Sequence, residues 1–356
     1  MQAPDFNPER LLTIKDLRFE PPTFALNEIK RLALELYGVQ GEFSALAGER
    51  DQNHRIRCVD GRQFVFKISG QNEPADVVEM QVEALRYIEQ HDSELPVPRV
   101  LPSLNGQMIC QVQSPVGSHA CRLMSWLPGV PYQEGPFPSA TGLMNLGSFI
   151  ARLGKALQGF DHSATRHFMP WNMTNGLVFS EQLKALLPAS LGSWIQPFLE
   201  RLQSTVYPQL RAQRWQVIHQ DGHGANLLRA QDHNEALTGV IDFGDMIYGP
   251  LICDLVTCVS DFMEAAADPV NAAMQITLGY QRITPLHDEE LDLLLDLAMV
   301  RQIMVLQLFE FMRRNQSQPQ AFVTDDQPGV IALLQKLAKL DRQDFTQQLK
   351  EAVKHA

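Results

Sequence analysis

The sequence contains little cysteine and no cysteine arrangement that suggests disulfide cross-links. Five cysteines are scattered over 356 residues without a C-x-x-C pair. An odd, dispersed set argues against a disulfide framework, so we expect reduced thiols in a cytoplasmic protein. The first segment, MQAPDFNPER, lacks the basic and apolar regions of a secretory signal peptide, and none is expected.

Long uninterrupted apolar runs are also missing. The most apolar helical stretch, residues 291–312, is interrupted by Asp292, Asp296, Arg301 and Glu310. A membrane-spanning helix needs about 20 consecutive apolar residues, so this stretch is predicted to be a core helix. The sequence has neither an internal repeat nor a low-complexity tract, and no feature of it indicates an oligomeric state.

Basic charge is scarce as well, with 30 Lys and Arg against 41 Asp and Glu and a net charge of -11. Nucleic acids and anionic membranes attract clustered Lys and Arg, so we expect neither as a partner. The acidic balance is compatible with a cationic small molecule, although it is also ordinary for cytosolic proteins. With 45% hydrophobic residues, the chain can form a large core in one to three domains.

The first third of the chain predicts a small sheet accompanied by helices. Apolar residues at helical spacing predict a helix over 26–37, and glycines end it. Short apolar runs separated by polar turns then predict strands. The predicted strands are 43–47, 54–59, 63–68, 99–101, 108–112 and 119–126, with a polar turn at 49–53 and a second helix over 75–90.

The densest group of polar residues lies on a predicted β-hairpin within residues 217–245. One apolar strand is centred on 226–228 and a second runs over 237–243, with a polar turn at 231–235. Polar residues at the open ends of two such strands converge in space. The hairpin therefore predicts a site at one of its ends.

Three side chains are predicted to converge at that end: Asp221 before the first strand, Asn226 at its start and Asp242 at the end of the second. Asp and Asn oxygens suit Mg²⁺, which prefers oxygen ligands. A further carboxylate, free of metal, can accept the proton of an attacking hydroxyl. The order H-x-D-x-x-x-x-N followed by D-F-G is the arrangement used for phosphoryl transfer.

Lys67 stands near the end of the predicted strand 63–68. A lone strand lysine is usually solvated, but here a helix with two central glutamates follows. A strand Lys that binds phosphates and is held by a helix Glu is typical of phosphoryl-transfer enzymes, and a buried Lys needs such a partner. We expect Glu83, whose neighbours pack inward, rather than Glu79 to be that partner.

A boundary is predicted where an apolar strand runs into Leu-Pro-Gly near residues 125–130. Backbone groups of this segment, including Trp126, are candidates for hydrogen bonds to a purine, with Met124 packing on the base. An ordinary strand end explains the segment equally well. After it the composition turns helical, with predicted helices over 139–160, 191–213, 254–267, 270–280, 288–314, 330–339 and 344–354. The predicted domains are 1–125 and 126–356 in an α+β fold.

These motifs resemble the aminoglycoside-phosphotransferase and choline-kinase superfamily. HQDGHGAN is similar to its H-G-D-x-H-x-x-N loop, VIDFGD to its I-D-F/W segment, and Gly249-Pro250-x-x-x-Asp254-Leu255 to the D-P-x-x-D-L that follows. A narrower resemblance covers most of the chain and is to hydroxylysine-kinase-type phosphotransferases. It is carried by residues 47–53, the Phe-Lys-Ile strand, residues 122–129 and 159–162, and IDFGDM.

The resemblance implies a bilobal protein-kinase-like fold, with a small antiparallel-sheet N-lobe, a larger and mainly helical C-lobe, and ATP or GTP in the cleft. It makes Asp221 the catalytic base and Asn226 and Asp242 the Mg²⁺ ligands. Lys67 would bind the nucleotide phosphates and Glu83 would hold Lys67.

Three further roles follow from the resemblance. The turn that contains Arg50 and Asn53 would cover the phosphates. Asp254 would brace the catalytic loop from the helix below, and His219 would orient that loop. The chain departs from the superfamily pattern at Gln220, where Gly is usual, and it lacks the G-x-G-x-x-G loop of true protein kinases.

Other functions explain fewer of these residues. His219 and His223 flank Asp221, which suggests a metallohydrolase, but that interpretation leaves Lys67 and Asp242 without a role. A pseudokinase-like nucleotide-binding module is a second alternative, although all the expected polar residues are present. A protein kinase is disfavoured because residues 244–250 are too short for an activation segment.

The acceptor is predicted to be a cationic small molecule with a hydroxyl group. An amino alcohol or a hydroxylysine-like amino acid suits the acidic charge, with aminoglycoside, homoserine and choline or ethanolamine as alternatives. Asp245, and Trp171 through a cation–π contact, are candidates to bind its ammonium. For Asp245, helix capping or support of a neighbouring side chain is an equally good interpretation.

Overall fold

The computed structural model describes residues 11–17, 21–231, 235–315 and 327–355. Its N-terminal part contains a six-stranded antiparallel sheet in the order β1-β2-β3-β6-β4, with β5 paired to β6. The strands are β1 Glu42–Leu46, β2 Asp51–Arg57, β3 Gln63–Ser69, β4 Val100–Leu101, β5 Cys110–Ser114 and β6 Gly117–Ser125. Two helices accompany them, α1 Leu26–Tyr37 and α2 Ala75–His91.

Helix α1 covers one face of this sheet. Its buried residues Ile29 and Tyr37 share an apolar cluster with Phe66 and Ile68 of β3, and the Tyr37 and Phe66 rings meet edge to face at 5.9 Å. Each such buried side chain stabilises the fold by about 1.5–3 kcal/mol. Gly38 ends the helix in the left-handed conformation at φ 67°, so the predicted bounds of this helix are confirmed.

The opposite side of the sheet carries the polar residues of β2 and β3. In the ladder Asn53 lies opposite Lys67, and Asp51 lies opposite Ser69. Side chains two residues apart on a strand share a face. Asp51, Asn53 and Lys67 therefore point to the same side, away from α1.

The C-terminal part is mainly helical. Its helices are α3 Ala140–Ala156, α4 Gly176–Gln182, α5 Ile195–Arg201, α6 Tyr207–Arg211, α7 Leu251–Ala265, α8 Pro269–Gln281, α9 Asp288–Leu291, α10 Leu294–Asn315, α11 Gln327–Leu337 and α12 Arg342–Lys354. Five strands complete it, β7 Val130–Pro131, β8 Trp215–Ile218, β9 Leu227–Arg229, β10 Leu237–Val240 and β11 Ile247–Pro250. They form the sheets β10-β9-β7 and β11-β8.

Helices α3 and α8 cross at very short range because glycines face each other's backbone. A Cβ atom on Gly147 of α3 would lie 1.8 Å from the carbonyl oxygen of Ile276, and one on Gly279 of α8 would lie 1.8 Å from that of Met144. Any larger residue at either position would force the helices apart. Ser139 caps α3 by accepting a hydrogen bond from the Gly142 N–H, as its sequence position predicts.

Several predicted elements differ from those observed. Strand β2 begins at Asp51 rather than 54, which shortens the predicted 49–53 turn. The helix predicted over 191–213 spans 195–211 and contains a π-helical turn, Leu202–Val206. Strands β7 and β11 and helix α4 were not predicted. Residues 232–234 of the predicted 231–235 turn lie outside the described residues.

The chain changes sheets where the boundary near residues 125–130 is predicted. Strand β6 ends at Ser125 in the six-stranded sheet, and β7 begins at Val130 in a sheet with β9 and β10. The division into domains 1–125 and 126–356 remains a prediction. All five cysteines are free thiols, as expected. In the described part of the chain, no helix is both long and apolar enough to cross a bilayer.

Candidate active site

The loop from His219 to Asn226 connects β8 to β9 and folds back on itself. The Asn226 side-chain amide donates to the Asp221 carboxylate at 2.6 Å and to the Asp221 backbone carbonyl at 3.1 Å. His223 approaches the other carboxylate oxygen of Asp221, with 3.3 Å between Nε2 and Oδ1. Asp221 is thus fixed by two side chains of its own loop.

The electrostatic surroundings keep Asp221 ionised. Burial favours the protonated acid, but His223 and Arg301 outweigh this effect and hold the pKa of Asp221 well below its ordinary value. For His223, burial favours the neutral ring, yet the adjacent Asp221 carboxylate raises its pKa to about 9. At neutral pH the loop therefore carries a carboxylate and an imidazolium in contact.

Two buried residues support this loop from below. Asp254 at the start of α7 accepts a hydrogen bond from the Gln220 N–H at 2.8 Å, and the Asp221 N–H donates to His219 Nδ1 at 3.2 Å. Burial raises the pKa of Asp254 to about 6 and lowers the pKa of His219. Gln220 adopts φ 66°, a left-handed backbone conformation that favours glycine.

Asp242 lies beside Asn226 because the ends of the hairpin are paired. The Ile241 N–H donates to the Asn226 carbonyl at 3.0 Å, so the next residue enters the same cavity. Asp242 has φ 63°, and its Oδ1 accepts from the Gly244 N–H at 3.1 Å. Among the described residues, no hydrogen-bond partner is seen for Asn226 Oδ1 or for the second oxygen of Asp242.

These two oxygens fit an Mg²⁺ ion. Within the described ranges no cluster of three or more His, Cys, Asp or Glu forms a closed metal cage. Mg²⁺ usually binds through one or two protein ligands and completes its shell with water and phosphate oxygens. An amide oxygen and a carboxylate on one wall of a cavity are therefore an adequate donor set.

Lys67 is paired within the sheet and not with helix α2. Its Nζ lies 2.7 Å from Asp51 Oδ2, and both side chains are largely buried. The prediction that Glu83 holds Lys67 is wrong, because the Glu83 side chain is 57% exposed and approaches His162 instead. A polar α2 residue that does contact the sheet is Gln81, whose Oε1 accepts a hydrogen bond from Arg122 of β6 at 2.6 Å. Glu83 follows Gln81 by two residues on α2. Its side chain therefore points about 200° away from that of Gln81 around the helix axis.

The short turn between β1 and β2 reaches the hairpin across the cavity. Arg50 lies 2.7 Å from Asp245, which directly follows the Asp242-Phe243-Gly244 segment. Burial raises the pKa of Asp245, against the opposing effect of Arg50. Helix α7 begins after Pro250, so Asp245 does not cap it. Asn53 also lines the cavity.

The residues predicted to hold a nucleotide base lie apart from this cavity. Met124 is paired with Val65 and Val100 within the sheet. The Trp126 ring is covered by the Arg55 guanidinium, 3.9 Å from the ring centroid. Neither residue is among those that line the cavity. Their contact with a base remains a prediction.

A cavity of about 580 Å³ joins the site residues, within the usual range for small-molecule sites. Its walls are strongly acidic. Among the described residues, eight carboxylates line it, Glu49, Asp51, Glu73, Asp221, Asp242, Asp245, Asp261 and Glu264, together with four basic groups, Arg50, Lys67, His223 and Arg301. Burial raises the pKa of Glu49 and of Glu73, as expected for crowded carboxylates.

The wall formed by α7 and α10 contains residues that the sequence did not single out as site residues. Arg301 of α10 lies 3.9 Å from Asp221 and places its guanidinium 5.1 Å from the centre of the Trp171 ring. Trp171 therefore lines the cavity with Arg301 against its ring. Asp261 of α7 accepts from the Gly224 N–H at 2.8 Å. The signal available in the sequence for Arg301 was a charge within the apolar stretch 291–312.

Comparison with known proteins agrees with this geometry. Residues 42–290 match the phosphotransferase enzyme family. Hydroxylysine kinase of Danio rerio is 24% identical over 318 residues, covering 85% of this chain and 89% of that protein. Hydroxylysine kinase of Mus musculus is 23% identical over 289 residues, covering 74% of this chain and 76% of its own length.

Two solved structures share the fold. Amicoumacin kinase hAmiN, in complex with AMP-PNP, Ca²⁺ and Ami, has a TM-score of 0.66 at 16% identity and covers 90% of this chain and 97% of its own. A microcompartment-associated aminopropanol kinase has a TM-score of 0.66 at 18% identity, covering 91% and 98%. The predicted α+β kinase-like fold is thus confirmed.

Proposed function

The chain belongs to the phosphotransferase enzyme family, and we propose that it transfers the γ-phosphoryl group of ATP or GTP to the hydroxyl of a cationic amino alcohol or hydroxy amino acid, with hydroxylysine as the leading candidate. Phosphotransfer to a small-molecule hydroxyl is the activity common to its relatives. The acceptor class and the roles of individual residues are our proposal.

The observation that carries the acceptor class is the excess of carboxylates in the cavity, eight against four basic groups among the described residues. Buried charge is stable only when it is compensated. A nucleotide adds negative charge that its metal ions roughly balance, so the remaining excess favours a positively charged acceptor. The hydroxylysine kinases among the relatives and the aminopropanol kinase with the same fold support an aminated alcohol.

The chemical step follows from the position of Asp221. The acceptor oxygen forms a bond to the γ-phosphorus while the bond from that phosphorus to its bridging oxygen breaks. The electron pair of the broken bond leaves with the nucleoside diphosphate, and the hydroxyl proton passes to the Asp221 carboxylate. Asn226 orients this carboxylate at 2.6 Å. Most of the rate enhancement in such transfers comes from positioning and electrostatics.

The remaining polar residues would bind the phosphates and the metal. Lys67 and Arg50 lie on the sheet side of the cavity, where they can exchange their present carboxylate partners for phosphate oxygens. Asn226 and Asp242 would hold Mg²⁺. The ion supplies neutralisation of the charge that develops on the phosphoryl oxygens.

A nucleotide-consumption assay tests the proposal. Purified protein with Mg²⁺ and ATP or GTP is presented with hydroxylysine, homoserine, ethanolamine, choline, an aminoglycoside and an uncharged sugar. We expect turnover with an aminated acceptor and a fall in kcat of about 1,000-fold in Asp221→Asn. Asp60→Asn, an exposed carboxylate in the β2–β3 turn, is the control and should keep full activity. Equal turnover by Asp221→Asn, or turnover of the sugar alone, would refute it.

A further inference from the structure

Arg301 is a buried guanidinium with unused hydrogen-bonding capacity. The residue is only 8% exposed, and its Nη1 donates to the Trp171 carbonyl at 3.2 Å. Its Nη2 lies 3.9 Å from Asp221 Oδ1, which is too far for a hydrogen bond. Among the described residues, Arg301 has no other hydrogen-bond partner. None of its nitrogens is both fully buried and without a hydrogen-bond partner. The unused N–H groups are therefore accessible from the cavity that Arg301 lines.

Support of Asp221 does not account for this arrangement. Asp221 already receives the Asn226 amide at 2.6 Å and the His223 ring at 3.3 Å. Taking a guanidinium out of water costs several kcal/mol unless its donors are matched. A planar guanidinium with open donors in a cavity is well suited to a carboxylate, which it binds through two parallel hydrogen bonds.

Arg301 belongs to α10 and lies beside Asp221 and Trp171, whereas Lys67 and Arg50 come from the sheet and its β1–β2 turn and are paired with Asp51 and Asp245. The charges that act on it are those of Asp221, Asp245, Asp261 and Cys253, which lie on the loop, the hairpin end and α7. Lys67 and Asp51 belong to the sheet. The carboxylate that Arg301 would bind is therefore part of the acceptor, and the ring of Trp171 at 5.1 Å fixes the plane of the guanidinium.

Two carboxylates lie on the same wall. Asp261 uses one oxygen, Oδ2, to accept from the Gly224 N–H at 2.8 Å, and both Asp261 and Glu264 of α7 line the cavity. Asp261 also acts electrostatically on Arg301. A carboxylate and an ammonium separated by one carbon would match a guanidinium and an aspartate that line the same cavity.

We propose that Arg301 binds the carboxylate and Asp261 the α-ammonium of the acceptor, so that the enzyme phosphorylates a hydroxy amino acid in preference to the corresponding amino alcohol. This inference rests on the proposed function, because it specifies the acceptor of the same site. Arg301 and Asp261 are then the residues that determine specificity, and Asp221 remains the proton acceptor.

The experiment compares acceptors that differ only by the carboxylate. The pairs are 5-hydroxylysine with 1,5-diaminopentan-2-ol, and homoserine with 3-aminopropan-1-ol. For the pair that is turned over, we expect wild-type kcat/KM to favour the amino acid by roughly 100-fold. In Arg301→Gln this preference should fall to about five-fold or less, mainly through KM of the amino acid. Arg301→Lys keeps the charge but loses the paired donors, and it should restore part of the preference.

The ratio of the two acceptors isolates the carboxylate contact. A change in kcat shared by both acceptors reports the influence of Arg301 on Asp221 and cancels in the ratio. Thermal unfolding with and without Mg²⁺-nucleotide checks that Arg301→Gln is folded. Equal kcat/KM for both members of a pair in the wild type, or an unchanged preference in Arg301→Gln, overturns the inference while the kinase function stands. If the wild type consumes nucleotide with none of the four compounds, the inference fails, and turnover of another aminated acceptor in the wider panel above decides whether the kinase proposal stands.

Discussion

Replacing Asp51 by Asn tests which residue neutralises Lys67. The two groups lie 2.7 Å apart with side-chain exposures of 11% and 12%, and Arg122 of β6 lies directly opposite Lys67 in the ladder. Without the Asp51 carboxylate, two buried cations would face each other across the sheet. Removing one partner of a buried ion pair typically costs 3–5 kcal/mol, so we expect a loss of about 3 kcal/mol in the free energy of unfolding.

Urea unfolding monitored by tryptophan fluorescence and by circular dichroism measures this loss, and Glu83→Gln is the matched control. The Glu83 side chain is 57% exposed and contacts only His162, at 3.9 Å, among the described ion-pair partners. Its replacement should change stability by no more than about 0.5 kcal/mol. The double variant Asp51→Asn with Lys67→Gln should regain part of the loss, because it removes the uncompensated lysine.

The reasoning would be refuted by the reverse order of effects. If Glu83→Gln destabilised the protein as strongly as expected for Asp51→Asn, helix α2 would hold Lys67 after all. If the double variant were no more stable than Asp51→Asn, Lys67 would not be left uncompensated by the loss of Asp51. Either result would also remove the argument that Lys67 has to be released from Asp51 before it binds phosphates.

Two further predictions concern helix packing and pH. Gly147→Ala should lower the free energy of unfolding in urea by several kcal/mol, because its Cβ would lie 1.8 Å from the Ile276 carbonyl oxygen. Gly154→Ala is the control in the same helix. The nearest atom to its Cβ lies at 3.6 Å, so this variant should raise the free energy of unfolding by about 0.5–1 kcal/mol. The raised pKa of Asp254, about 6, makes its contribution to stability fall as pH rises from about 4 to above 6. The free energy of unfolding of the wild type minus that of Asp254→Asn should therefore drop by about 3 kcal/mol between these pH values. A difference that does not change with pH would contradict the raised pKa of Asp254.

The elements that are determined by residues close together in the sequence were the ones that could be predicted. Helix α1 has its predicted bounds because its apolar spacing and Gly38 act locally. The Asp221, Asn226 and Asp242 group was predicted for the same reason, since one hairpin brings the three together. By contrast, β11 pairs with β8 across residues 219–246. Its sequence, Ile-Tyr-Gly-Pro, is too short to show strand periodicity.

The wrong partner for Lys67 shows how a family pattern can misplace a contact. The sequence offers glutamates at the middle of α2, and a helix glutamate is the partner used by many kinases. The choice between them depends on the rotation of α2 about its axis, which tertiary packing sets. The strand register that aligns Asn53 with Lys67 instead brings Asp51 within 2.7 Å. A register two residues different would have removed this contact, and no local pattern in the sequence determines it.

Arg301 and Asp261 illustrate the same limit for the acceptor wall. Each is a charged residue in a largely buried helix. Arg301 was noticed only as an interruption of an apolar stretch, and Asp261 was not singled out. Their meaning depends on α7 and α10 lying on the same side of the loop, which places Asp261 against Gly224 and Arg301 near Asp221. A charge that tertiary structure keeps inside a core must be compensated by something. When protein groups compensate it only in part, as with the guanidinium of Arg301, the ligand is the remaining partner.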